Sequence, residues 1–387
     1  MTKNNTECKI TILGDIMMNN TQIPIGLSNG FDCFFSDLKH EFDDCDLVIG
    51  NLETPLTDNK QIYSKEKYKF SAPSQMAMSL KKNIPNLVLL TANNHCLDGG
   101  VDTLKETIKI LDSYEIKHTG TNIDNCNEYL VLDVCNLKIS IVNYTYGTNA
   151  FSNQVYLSNR DICCVNLLQP QELSNRFYKS FLTSKNIFIR IIRKICSFFN
   201  LFQINSYPAA RVSLSKKMRN KYLKMIDTAK ANSDVLISCV HIGGQYNSNP
   251  TKYTKLIANK TMKHKADVVS CNHEHVIHGI LKRKNGLINY SLGNFLGTNG
   301  VIESPFDKNS DLSIAINVYI DKKTLKKRFT YSIFKCFSKD GKIVKVASLY
   351  KLINESPNDE SLIEKNNYVT KTVSKKQLPI MKEYAID

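Results

Sequence analysis

Short apolar runs alternate with stretches of helical spacing along most of this chain. Residues 9–14, 46–50 and 86–91 are apolar runs of strand length bounded by polar residues, and they read as buried strands. Between 102 and 113, Leu104, Ile108 and Leu111 recur at helical spacing. Residues 138–144 predict a further strand. Two helix–strand pairs follow, helix 216–230 with strand 234–240 and helix 254–265 with strand 266–270. Alternation of this kind argues for an α/β domain built on a largely parallel sheet.

The character changes after about Gly300. Residues 312–320, 328–337 and 342–350 are strand-like, with charged turns between them. They predict antiparallel strands that finish a sheet, so the domain is expected to cover residues 8–350. Residues 351–387 are polar without a firm period and predict a polar C-terminal tail. No repeat recurs at a fixed period.

One stretch, 174–210, breaks the alternation and predicts a helical insertion. Placed on a helical wheel, Arg190, Arg193, Lys194, Ser197 and Asn200 fall within about 120° of arc. Everything else from 187 to 202 is apolar. A basic amphipathic helix with so broad an apolar face needs a partner. The short flanking loops favour the domain itself, which would make the helix a lid. Contact with an anionic membrane surface is the other reading.

Composition narrows the class. Of 387 residues, 42% are apolar and 22% charged, which excludes wholesale disorder. The length suffices for a full core without disulfide staples. The net charge of +15 comes from 51 Lys and Arg against 36 Asp and Glu. The densest basic runs, 282–284 and 322–328, sit beside turn-like residues and read as solvated loops. There is no basic-aromatic stripe, so no nucleic-acid partner is expected. No run of about 18 uncharged apolar residues predicts a transmembrane helix. The first residues lack the apolar core of a signal peptide. The expected location is cytoplasmic, peripheral at the inner membrane face if the 187–202 helix binds lipid. The 12 cysteines form no CxxC pair and read as reduced, mostly core residues.

The chemistry gathers at the strand ends. The first three strands run into Gly14-Asp15, Gly50-Asn51-Leu52-Glu53 and Asn93-Asn94-His95-Cys96-Leu97-Asp98-Gly99. Later strands run into His241-Ile242-Gly243-Gly244 and Asn272-His273-Glu274-His275. Ligands of open α/β sheets bind outside the carboxyl ends of the strands. Oxygen donors mixed with imidazoles suit Mn²⁺, Fe²⁺ or Zn²⁺, and two such ions sharing a carboxylate can clamp a phosphate. At a strand end that turns, the two histidines of His-x-His can reach neighbouring ions. His40, His118, His264 and His278 stand outside the pattern and read as structural or solvated.

The order of these motifs, with Tyr290-Ser291-Leu292-Gly293-Asn294-Phe295 after them, resembles the CapA family of capsule and poly-γ-glutamate synthesis proteins of bacteria. That family lies within the calcineurin-like metallophosphatase superfamily. The resemblance spans roughly residues 8–350. The Asn-Asn-His-x-x-Asp-Gly and Tyr-Ser-Leu-Gly-Asn-Phe stretches are specific to the family. It implies a four-layer α/β/β/α sandwich and two divalent metal ions. In this match Asp15 and His275 bind the first ion, Glu53 bridges, and Asn94, His241 and His273 bind the second. His95 acts on the leaving group or the phosphate. Asn51, Asn93 and Asn294 are the remaining polar candidates for contact with substrate. Cys96 and Cys271 stand close enough in sequence to line the site's outer layer.

Some positions depart from the pattern. The superfamily's opening Asp-x-His reads Asp15-Ile16-Met17, Glu53 replaces an Asp, and Gln245 follows Gly244 where a Glu is common. Glu274 replaces the proline of His-Pro-His, and Cys271 the preceding Gly. The resemblance implies a metal-dependent phosphoesterase-type hydrolase of capsule or envelope-polymer synthesis, acting on an anionic or phosphorylated polymer or precursor. The departures give weight to an alternative, a non-catalytic accessory protein that binds metal or anionic polymer.

Overall fold

A computed structural model describes the chain except for residues 1–5, 64, 66, 67, 124–128, 172–185, 199–211, 303–306 and 339–343. Among the described residues, fifteen strands form two sheets. The larger sheet contains β1 (Glu7–Ile16), β2 (Leu47–Leu52), β3 (Leu87–Leu90) and β4 (Lys117–Thr119). It continues through β12 (Leu312–Asp321), β13 (Lys327–Ser338) and β14 (Val344–Ser348) in the order β14-β13-β12-β1-β2-β3-β4. Strand β11 (Asn294–Leu296) pairs with β1, and β15 (Tyr384–Ala385) with β13. The smaller sheet contains β5 (Leu130–Val134), β6 (Leu137–Thr145), β7 (Val235–His241), β8 (Val268–Asn272), β9 (Ile280–Arg283) and β10 (Gly286–Asn289). Its order is β5-β6-β7-β8-β10-β9.

Side-chain alternation along each strand builds the layers. Leu47 and Ile49 of β2 join Val235, Ile237 and Cys239 of β7 in one core between the sheets. Val48 and Leu52 point the other way, onto the helix Gln75–Asn83 through Met76, Ala77 and Leu80. Leu236 and Val240 of β7 pack on the helices Val212–Ala231 and Lys252–Lys263 through Tyr222, Ile226, Ile257 and Ala258. The layers are therefore α/β/β/α, as expected. Strands β12, β13 and β14 pair antiparallel and extend the larger sheet.

Residues 351–387 are not a tail. The helices Leu349–Glu355 and Glu360–Ser374 cover the sheet edge. Leu362, Val369, Val373, Tyr384 and Ile386 enter the main core. Asp359 caps the second helix by accepting from the amides of Ser361 and Leu362. The apolar stripe of this helix is narrow and sits in a polar sequence, and its partner surface exists only once β13 is in place.

The insertion also departs from expectation. The helix Ile187–Phe198 forms, but Ile187, Phe188, Ile191 and Ile192 are exposed rather than packed on the domain. The rest of the 174–210 expectation lies largely outside the described residues.

Candidate metal and hydrolytic site

Strand register brings the first residues of the site together. Asp15 lies opposite Asn51 on β2 and opposite Asn294 on β11. This row is tight, because Gly14 lets the backbone of Gly293 approach where a Cβ would collide with its carbonyl. On the other sheet His241 ends β7, paired with Thr145 and Asn272. After β8 the chain turns sharply, with positive φ at His273 (128°) and His275 (60°). A φ of this kind is costly for a residue with a side chain. Here it sends the two imidazoles to different partners.

Two triads result. Glu53, His241 and His273 form one, and Asp15, Glu53 and His275 the other, with ligand atoms within 4.8 Å of one another in each. Glu53 belongs to both. All five side chains are buried. Glu53 Oε1 lies 3.4 Å from His241 Nε2, and Asp15 Oδ2 lies 3.5 Å from His275 Nδ1. Asn94 Oδ1 is 2.7 Å from His241 Nε2, which places it beside the first triad. His273 Nδ1 is 3.1 Å from the same nitrogen, and its Nε2 is 3.1 Å from the Tyr146 hydroxyl.

Burial sets the electrostatics. It pushes the Glu53 carboxyl up to about 8, with the neighbouring Asp15 charge adding to the effect. For Asp15 burial acts upward too, but the His275 and His241 rings and the Asn51 amide outweigh it and hold the carboxyl below its ordinary value. Burial lowers His241 to about 4 against the pull of Asp15, and lowers His273 well below the ordinary value. The imidazoles of the first triad are therefore neutral and carry lone pairs. Asn51 donates to His241 Nδ1 at 3.2 Å, so the neutral ring keeps its proton on Nε2 and donates it to Asn94.

These residues fit divalent cations. Asp15 Oδ2 and both Glu53 oxygens are buried with no hydrogen-bond partner. Unsatisfied buried acceptors are costly unless a positive charge faces them. A cation within the donor set would satisfy all three.

The three asparagines expected to contact substrate hydrogen-bond within the framework of the site. Asn51 donates to Asp15 Oδ1 at 2.7 Å and accepts from Asn93. Asn93 also donates to the Leu52 carbonyl and accepts from the His95 amide. Asn294 Oδ1 lies 3.0 Å from His275 Nδ1, and its amide donates to the carbonyls of His275 and Ser310. His95 stands beside the triads, with Nε2 4.0 Å from Glu53 Oε1. Its Nδ1–H donates to Asp98 Oδ2 at 2.6 Å, and its ring packs 4.3 Å from the Phe70 ring. Burial would lower this imidazole, but the Asp98 and Glu53 carboxylates outweigh it and raise its pKa.

Asp98, Phe70 and Tyr146 were not singled out from the sequence. Asp98 stood within the Asn-Asn-His-x-x-Asp-Gly motif, and Tyr146 directly follows β6, so the strand-end rule applies to it. Phe70 carries no sequence signal, since it reaches the site from an irregular loop. Cys96 and Cys271 are buried in apolar clusters. Met17 is fully buried beside Phe70 and Val301.

Residues 9–299 match the family described as bacterial capsule synthesis protein PGA_cap. The chain belongs to this capsule synthesis family. It is 23% identical to the capsule biosynthesis protein CapA of Bacillus anthracis over 302 residues, covering 77% of this chain and 62% of that protein. It is likewise 23% identical to the PGA biosynthesis protein CapA of Bacillus subtilis (strain 168), over 75% of this chain and 63% of that protein. The chain thus spans less than two thirds of the length of these CapA relatives. Among solved structures it is similar to the sulfate thiohydrolase SoxB of Thermus thermophilus, at 8% identity and a TM-score of 0.39, over 94% of this chain and 60% of that one. Among the described residues of this family member, no helix is long and apolar enough to cross a membrane.

Proposed function

We propose that this capsule synthesis family member is a metal-dependent phosphoesterase-type hydrolase acting on an anionic or phosphorylated envelope polymer or its precursor. The observation that carries the reading is Glu53, a buried carboxylate shared by two ligand triads. One ion would be held by Asp15, Glu53 and His275, the other by Glu53, Asn94, His241 and His273. Mn²⁺, Fe²⁺ or Zn²⁺ bound there would supply Lewis acidity toward a phosphoryl group.

The chain's own residues do the rest. Asp15 and Glu53 contribute the negative charge that selects cations. Asn51 holds Asp15 in place, and Asn294 holds His275. Asp98 takes the Nδ1–H of His95 and, with Glu53, favours the protonated ring, whose Nε2–H is then the proton available to a departing oxygen. The Phe70 ring packs against the His95 ring and Met17 packs with Phe70, an apolar wall on that side of the ring. The net charge of +15 complements an anionic substrate.

Met17 favours the second reading, a non-catalytic accessory protein that binds metal or anionic polymer. It puts a fully buried thioether two residues after Asp15, where the superfamily pattern has an imidazole. The two readings separate in one experiment. Metal content of the purified protein is measured together with hydrolysis of a generic phosphodiester, for the wild type and Glu53→Gln. Hydrolysis that falls with metal content in Glu53→Gln supports the enzyme. Bound metal with no hydrolysis supports the accessory protein, and absence of metal from the wild type sinks the enzyme and leaves the accessory reading only its polymer-binding form.

A further inference from the structure

A second set of donors lies at the opposite ends of the same strands. Cys8 is near the start of β1, whose far end carries Asp15. Asp46 directly precedes β2, whose far end carries Asn51. Cys135 lies in the two-residue turn between β5 and β6. Ligand atoms of Cys8, Asp46 and Cys135 come within 4.8 Å of one another. Two of these residues belong to the larger sheet and one to the smaller, so the cluster spans the seam between the sheets.

Several features set this cluster apart from ordinary core cysteines. The three side chains come from separate parts of the chain, yet their ligand atoms are mutual neighbours, which makes them one group. Cys135 and Asn136 have φ of 55° and 65°. Tight hairpins of this kind favour Asn, Asp or Gly at both positions, so a cysteine here is an expensive choice for packing alone. Asp46 is held by a reciprocal pair with Lys9, accepting from its amide at 2.9 Å and donating to its carbonyl at 2.8 Å. Fixing a carboxylate in this way is typical of metal ligands. Cys135 and Asp46 also line an open cleft of about 640 Å³, so the group is reachable from solvent although Cys8 is buried.

We infer that Cys8, Asp46 and Cys135 form a second metal site for a thiophilic divalent cation, with Zn²⁺ the best match. Two thiolates and one carboxylate are a three-ligand tetrahedral set that leaves the fourth position to water or a ligand from the cleft. Binding releases both thiol protons to solvent. The bound group then carries three negative charges against two positive ones, and the Lys322 ammonium, which acts on both thiols, offsets the remainder. Because its ligands come from both sheets, the ion would staple the layers at the end remote from the hydrolytic site. The inference does not depend on the hydrolase reading.

Cobalt discriminates this site from the other, whose donors include no thiol. Co²⁺ is added to the metal-free full chain and the near-ultraviolet sulfur-to-cobalt charge-transfer absorption is followed. The wild type and His273→Ala should both develop this absorption, and Cys135→Ser should lose it. Cys135 sits half-exposed in a turn, so this variant is expected to fold, which far-ultraviolet circular dichroism checks. Absorption that persists in Cys135→Ser, or cobalt uptake by the wild type with no thiolate absorption, overturns the site.

Discussion

Asp98 accepts the Nδ1–H of His95 at 2.6 Å, with both side chains buried. The same carboxylate accepts from the Phe70 amide and from Asn153. One aspartate thus orients the proposed acid, the apolar wall beside it and a neighbouring loop.

His95→Ala should leave metal content intact and lower phosphodiester hydrolysis by about 10²–10⁴-fold, the usual contribution of a positioned acid. Asp98→Asn keeps the shape but replaces an acceptor by an amide. It should cost about 10–100-fold in activity, as removal of an orienting partner does. Turnover and metal analysis of both variants check this. Metal lost from His95→Ala would mean that His95 is a ligand.

Shared use of Glu53 predicts an ordering of metal affinities. Glu53→Gln should lower bound metal further than His273→Ala, because the first touches both triads and the second only one. Chelation of the wild type should lower Tm, since an ion held at 100 times its Kd adds about 2.7 kcal/mol to the folded state. Atomic absorption and thermal melts with and without chelator test both statements. A Tm indifferent to chelation would argue against the site.

Gly243 has φ 150°, and a Cβ there would collide with the buried Glu274 carboxyl between the two histidines. Gly243→Ala should destabilise the protein by about 1–3 kcal/mol and weaken metal retention through His273 and His275. Urea unfolding gives the first quantity and metal content the second. Wild-type values for both would show that the loop absorbs the methyl group.

The C-terminal segment supplies a pH dependence. Glu383 bonds to the buried Lys9 ammonium at 2.9 Å, and to Tyr319 and Thr330 at 2.7 Å each. Burial acts to raise this carboxyl, but the Lys9 charge and these hydrogen bonds hold it below its ordinary value of 4.5. A depressed folded-state pKa contributes stability above the unfolded value and loses it as pH falls through the folded one. Glu383→Gln should therefore cost about 1–3 kcal/mol near neutral pH. Its difference from the wild type should close in acid, below about 4.5. Urea midpoints at the two pH values measure it, and a pH-independent difference would count against the pair.

The sequence determined most of the elements and most of the site's membership. Strands such as β1, β2 and β7 are buried along nearly their whole length and mostly apolar, because both faces are covered, and that pattern is legible without a structure. The ligand candidates were legible too, because each stands directly after such a strand and open sheets place function at that edge. What the sequence did not contain is the pairing of distant surfaces. The helix Glu360–Ser374 looked like tail because its few apolar residues acquire meaning only against β13. Phe70 joined the site from an irregular loop, where no periodicity announces a side chain's direction. Asn51, Asn93 and Asn294 were legible only as polar candidates, and it is register that aims their amides at Asp15, the Leu52 carbonyl and His275. Cys8 and Cys135 are 127 residues apart in the chain, and their meeting depended on the two sheets packing face to face. Composition and period are local properties. Which donors share one cavity is set by the register of strands and by the seam between layers, and only the tertiary structure decides those.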